Sequence, residues 1–206
     1  MKEKTKIRQL AETIAVAALL AIFVRSFVVE AFTIPSASME PTLLVGDYLL
    51  ANRLSYVVKV PFTDVVLFRL GEPKRGDIVI FRYPLDPSKD YVKRIIAKGG
   101  DTVEVRDKVV YVNGVRVEEG YAHFTDHMNI PGSRMPRDNF SPVKVPKDCY
   151  FAMGDNRDNS SDSRFWGFLK ADDLVGKAEI IYFSLDNDAD SPLSFVRWQR
   201  LGRVVR

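Results

Sequence analysis

Three times in this chain a Gly-Asp dipeptide is followed at once by an apolar, β-rich run: Gly46-Asp47-Tyr48-Leu49-Leu50, Gly76-Asp77-Ile78-Val79-Ile80-Phe81 and Gly100-Asp101-Thr102-Val103-Glu104-Val105. Glycine enters tight-turn conformations without steric cost, and β-branched residues favour extended backbone, so each copy reads as a turn launching a strand. Val109-Val110-Tyr111-Val112 and Val115-Arg116-Val117 flank Asn113-Gly114, a dipeptide that tolerates positive φ at both turn positions, and read as a hairpin. Ala178 to Phe183 supplies a further strand. Short strands separated by turns leave little room for crossover helices, so the expected fold is mainly β, an antiparallel barrel-like assembly.

The 206 residues can bury a sizeable core. Cys149 is the only cysteine, which excludes an intrachain disulfide and any Cys-rich zinc or iron-sulfur site. A formal net charge of +3, without a long Lys/Arg run, gives no footprint for nucleic acid.

Charge is more telling at the N-terminus. Lys2, Lys4, Lys6 and Arg8 stand against Glu3, and Thr13 to Val24 then carries no charge. Residues 1–12 read as a basic cytoplasmic flank, 13–29 as a membrane anchor, and 30–206 as an extracytoplasmic domain. A cleavable signal peptide and a buried core helix are the competing readings; the anchor accounts best for the charge asymmetry.

Tyr121 to Pro146, rich in proline, reads as an elaborated loop, part of an inserted subdomain over about 104–147. It holds both histidines, His123 and His127. On a helix they would share a face at i, i+4, but the loop context favours two solvated side chains and no metal site. The tail, with Arg197, Arg200, Arg203 and Arg206 among apolar residues, reads as a terminal element packing one face on the domain.

With both histidines in a loop, Ser-His-Asp chemistry has little material, yet Ser38 sits in a suggestive place just after the apolar segment. A serine needs a base, and a lysine serves only if neutral near working pH. Lys93, among Tyr91, Val92, Ile95 and Ile96, has an apolar setting that would depress its pKa, and on a strand it shares a face with Tyr91 and Ile95.

Pro35-Ser36-Ala37-Ser38-Met39-Glu40-Pro41-Thr42-Leu43, Arg75 to Phe81, Tyr91-Val92-Lys93-Arg94, Gly99 to Val103 and Met153-Gly154-Asp155-Asn156-Arg157-Asp158-Asn159-Ser160-Ser161-Asp162-Ser163-Arg164 together resemble bacterial type I signal peptidase. The resemblance implies a Ser/Lys dyad of Ser38 as nucleophile and Lys93 as general base, with no cofactor. It implies Ser36 as an oxyanion donor together with the Ser38 N–H, and Ser160 as the residue orienting the lysine. Arg94, Asp155, Asp162 and Arg164 take structural support roles. Ile34, Pro35, Met39, Leu43, Tyr91 and Val92 would line shallow pockets for the small residues of an Ala-X-Ala site. The substrate would dock as an added strand along residues 32–36 and 90–93. Implied partners are signal peptides of exported preproteins, membrane lipid and the export machinery, with no nucleic acid. The implied location is the bacterial cytoplasmic membrane, single-pass, with the N-terminus cytoplasmic. A membrane-tethered domain that binds exported peptides without cleaving them, and an organellar inner-membrane peptidase, are the alternatives.

Overall fold

The computed structural model describes residues 6–59, 65–186 and 195–206. The three Gly-Asp turns share one construction. Gly46, Gly76 and Gly100 adopt φ of 88°, 91° and 92°. In each turn the Asp N–H bonds the carbonyl three residues back, at Leu44, Lys74 or Lys98. The Asp carboxylate reaches back to the same residue's N–H at 2.8 to 2.9 Å. Each carboxylate also meets a cation brought from elsewhere: Asp47 pairs with Arg200, Asp77 with Lys177 and Asp101 with Arg75. The dipeptide therefore closes the turn locally and anchors it to the rest of the fold.

Among the described residues the strands are β1 (Val29–Thr33), β2 (Asp47–Asn52), β3 (Val57–Lys59), β4 (Val66–Arg69), β5 (Ile78–Tyr83), β6 (Asp86–Lys98), β7 (Thr102–Arg106), β8 (Val109–Val112), β9 (Val115–Arg116), β10 (Phe140–Lys144), β11 (Cys149–Met153), β12 (Leu169–Lys170), β13 (Leu174–Ser184) and β14 (Arg203–Val204), with helices α1 (Lys6–Phe27) and α2 (Ser163–Trp166). Every strand pairing is antiparallel. The largest sheet runs β1-β2-β13-β5-β6-β11-β12, with β14 also on β13. β10-β7-β8-β9 form a four-stranded sheet, and β3-β4 a ribbon. Asn113 and Gly114 take φ of 55° and 77° at the expected hairpin.

The large sheet does not close into a barrel. β1 and β12 are its ends, each paired on one side only, and β6 within it is only partly paired on its second side. That strand is thirteen residues long, but β11 pairs with it only from Arg94 to Lys98, leaving Asp86 to Lys93 bonded on one side by β5 alone. Alternate residues of β5 bury on both faces: Ile78 and Ile80 join a core with Leu43, Leu49 and Ile181, while Val79 and Phe81 join one with Ile95, Ala152 and Leu174. A third core lies around Phe151, Val103 and Val110, under the four-stranded sheet.

The apolar N-terminal segment is helical, with boundaries that differ from the anchor expected at 13–29. The helix begins at Lys6, and Val29 already opens β1. Its 22 residues include Lys6, Arg8, Glu12 and Arg25, and among the described residues no helix is long and apolar enough to cross a membrane. Leu10, Ile14, Val16, Leu19, Leu20 and Ile22 are exposed along it. Lys2, Glu3 and Lys4 lie outside the described residues.

The stretch between Arg116 and Phe140 has no helix or strand, so the two histidines do not share a helical face. Both are exposed, and His123 is engaged through its backbone: its N–H donates to Asp155 O at 2.7 Å, and its carbonyl accepts from Arg157 N–H at 2.8 Å. In the tail Arg200 turns inward to Asp47, Val205 is buried, and the Arg206 carbonyl accepts from Arg94. The tail packs on the domain through Arg200 and Val205, while Trp198 and Val204 are exposed, so the packed side is not simply the apolar one.

Candidate active site

Ser38 lies in a 3-10 turn, Ala37–Met39, that follows β1. Lys93 lies on β6, where the period of two puts it on the face of Tyr91 and Ile95. The two predicted residues, 55 apart in sequence, meet: Lys93 Nζ donates to Ser38 Oγ at 2.8 Å and to Val92 O at 3.0 Å. Only 3% of Lys93 is exposed. That burial drives its pKa down to about 8; Asp162 and Asp155 oppose the shift without reversing it, and Arg164 assists it.

Ser36 Oγ is 3.4 Å from Ser38 Oγ and exposed to the cleft side. Ser38 N–H falls in the first turn of the 3-10 segment, where no partner within that turn exists, so it is available as a donor. Ser160 Oγ is buried and acts on the Asp162 carboxylate rather than on the lysine: the atoms within hydrogen-bond distance of Lys93 Nζ are Ser38 Oγ and Val92 O. Ser160 also packs against Gly154. A Cβ on Gly154 would come within 2.3 Å of Ser160 Oγ and 2.4 Å of Ser38 O, so only glycine permits this approach.

The four support residues form two buried ion pairs. Arg94 bonds Asp155 through Nε and Nη2 at 2.8 and 2.6 Å, and Arg164 bonds Asp162 in the same two-pronged way. Burial pulls the Asp162 carboxyl upward, but Arg164 and the Gly154 N–H hold it below the usual carboxylate range. Sequence reasoning missed three members of this framework. Arg157, fully buried, bonds Glu119 at 2.7 and 2.6 Å. Thr42 Oγ1 donates to Asp155 at 2.5 Å. Asn156 donates to Ala37 O and Ser38 O. Asn156 and Arg157 lie inside a quoted motif, but nothing local signals partners over 30 to 100 residues away.

A cleft of about 470 Å³ opens over the Ser38 and Lys93 pair. Ile34, Pro35, Met39, Tyr91 and Val92 line it, together with Phe32, Ala37, Asp90, Asn159 and Ser161. Leu43 does not: it is wholly buried in the core beneath Met39, because the chain turns inward after the 3-10 segment and Leu43 N–H bonds Met39 O. Two strand edges border the cleft, the outer edge of β1 and the portion of β6 that β11 leaves unpaired. Both offer backbone groups to an extended peptide.

A hydroxyl beside an amine of lowered pKa, in a cleft bounded by free strand edges, can carry out nucleophilic acyl transfer on an extended peptide, the chemistry of a peptide-bond hydrolase. The chain belongs to the signal peptidase family, peptidase S26, whose family model matches residues 7–183. Among its relatives, signal peptidase I of Aquifex aeolicus is 36% identical over 236 residues, covering 87% of each chain. Signal peptidase I P of Bacillus subtilis subsp. natto is 37% identical, covering 90% of this chain and 94% of its own. A probable signal peptidase I-2 of Synechocystis is 40% identical, covering 85% and 72%.

Proposed function

We propose that this chain removes N-terminal signal peptides from exported preproteins, cutting after small residues through an acyl-enzyme on Ser38. The observation that carries the reading is the 2.8 Å contact between Ser38 Oγ and a buried Lys93 Nζ. Neutral Lys93 takes the Ser38 proton as Oγ attacks the scissile carbonyl carbon. Negative charge gathers on the carbonyl oxygen, where the Ser38 N–H and the Ser36 hydroxyl donate to it. The lysine, now an ammonium, passes its proton to the departing amine as the peptide bond breaks. It then takes a proton from water, which attacks the ester; the acid product leaves and the proton returns to Ser38.

Substrate specificity follows from the walls. A peptide added between β1 and the free part of β6 presents alternate side chains to Ile34, Met39 and Val92, which leave room for small groups such as those of an Ala-X-Ala site. The Arg94–Asp155 pair holds the strand that carries the base, and the Arg164–Asp162 pair lies close enough to act on its charge. The exposed apolar side chains of α1 and the basic flank before it support association with the bacterial cytoplasmic membrane, N-terminus on the cytoplasmic side. That arrangement keeps the cleft at the bilayer face, where a translocated signal peptide ends.

The test is cleavage by the full chain of a preprotein carrying Ala-X-Ala, against variants with Leu at either alanine. Clean cutting of the first and a fall in kcat/KM of at least roughly 10²-fold for the others is expected from steric exclusion; equal cutting of all three would sink the specificity. The pH dependence tests the base. Only the neutral amine is active, so kcat/KM should rise about tenfold per pH unit below Lys93's pKa and level off above about 8. A profile already flat at pH 6 would remove Lys93 from this role.

A further inference from the structure

Asn156 grips the backbone on both sides of Ser38. Its Nδ2 donates to Ala37 O at 3.1 Å, and its backbone N–H donates to Ser38 O at 3.2 Å. The residue is 2% exposed, and Oδ1 has no protein partner, so the side chain's one polar attachment is the bond to Ala37 O. The orientation of the amide is fixed by that contact, since a flipped amide would set Oδ1 against the carbonyl oxygen.

The consequence lies in the peptide plane. Ala37 C=O and Ser38 N–H belong to one planar trans unit and point in opposite directions, so whatever fixes the carbonyl fixes the N–H. Ala37 O accepts twice, from Glu40 N–H at 3.1 Å within the turn and from Asn156 Nδ2 across it. Two donors on the carbonyl also polarise the N–H at its far end, strengthening it as a donor. The turn has only three residues and cannot hold this plane by length of helix.

We infer that Asn156 is the positioning residue of the oxyanion site, aiming the Ser38 N–H by holding the Ala37 carbonyl. The inference rests on the reading of Ser38 as nucleophile. Asn156 touches neither the substrate nor the reacting oxygen. Its loss should therefore lower transition-state stabilisation without changing ground-state binding or the base.

The experiment compares Asn156→Asp, which keeps the shape and removes the donor, and Asn156→Ala, which adds no charge, with Ser38→Ala as a control. Expected is a fall in kcat of roughly 10- to 100-fold, below the roughly 10²- to 10³-fold of losing an oxyanion donor outright, with KM unchanged. The pH midpoint should stay where Lys93 sets it in Asn156→Ala. Affinity for a peptide aldehyde, whose tetrahedral adduct places an oxyanion in the same site, should fall by the same factor as kcat/KM. Unchanged kcat, a rise in KM alone, or undiminished aldehyde affinity would overturn the inference. So would loss of fold in both variants, which would make Asn156 a purely structural residue. An active Ser38→Ala would instead overturn the nucleophile assignment, so the two failures are distinguishable.

Discussion

Lys93→Arg should be inactive, with kcat reduced by on the order of 10⁴-fold or more, although it keeps a long cationic side chain on the same strand. A guanidinium cannot be deprotonated in a protein, so it cannot take the Ser38 proton however close it lies. The comparison separates a base from a mere charge. Lys93→Ala and Ser38→Ala should lose activity to a similar extent, because groups that act as one unit give nearly the whole loss when either is removed. The double variant should be hardly worse than each single one. Steady-state cleavage of a preprotein, with circular dichroism to establish folding, makes the measurement. Turnover above about 1% of the parent in Lys93→Arg would show that proton transfer does not run through this residue. Retained turnover in Ser38→Ala would remove the nucleophile.

The strands were legible because their signals are local. A Gly-Asp turn carries its φ requirement and its closing carboxylate within four residues, and each of the three starts a strand where it was expected. Alternation puts Lys93 on one face with Tyr91 and Ile95, but its pairing with Ser38, 55 residues away, was legible only through the family resemblance. The cations that complete the turns were not legible, because Asp47 finds Arg200 only after the chain has crossed the whole sheet. Leu43 shows the limit of carrying a lining residue forward by pattern. It stands four residues beyond Met39, which faces both core and cleft, and one tight turn sends it to the core alone. The partial pairing of β6 was also beyond a local reading: it depends on where β11 stops pairing with it, at Arg94, and that stop leaves an edge of β6 open beside the cleft.

The residue just past that stop carries the largest expected effect on stability. Asp155→Ala would leave the Arg94 guanidinium buried without its counter-charge. Arg94 is 2% exposed, and its remaining contacts are the carbonyls of Gly76 and Arg206 and the ring of Tyr121 at 3.8 Å. Those contacts orient the guanidinium but do not neutralise it. Breaking one side of a buried pair costs about 3–5 kcal/mol, and for a chain of this size each kcal/mol lowers Tm by about 2–4 °C, so a loss of roughly 6–20 °C is expected. Replacing both partners, as Arg94→Met with Asp155→Leu, should recover much of that loss, since an apolar pair leaves no uncompensated charge. The fraction that stays folded should carry a second signature. Asp155 is among the charges that hold Lys93's pKa up against burial, so its removal should move the activity midpoint below about 8. A Tm lowered by less than about 3 °C would mean that Arg94 finds another partner or water in the variant, and the pair would then be dispensable to the fold. A midpoint that moved upward would reverse the sign expected of the electrostatics around the base, because loss of a nearby carboxylate favours the neutral amine.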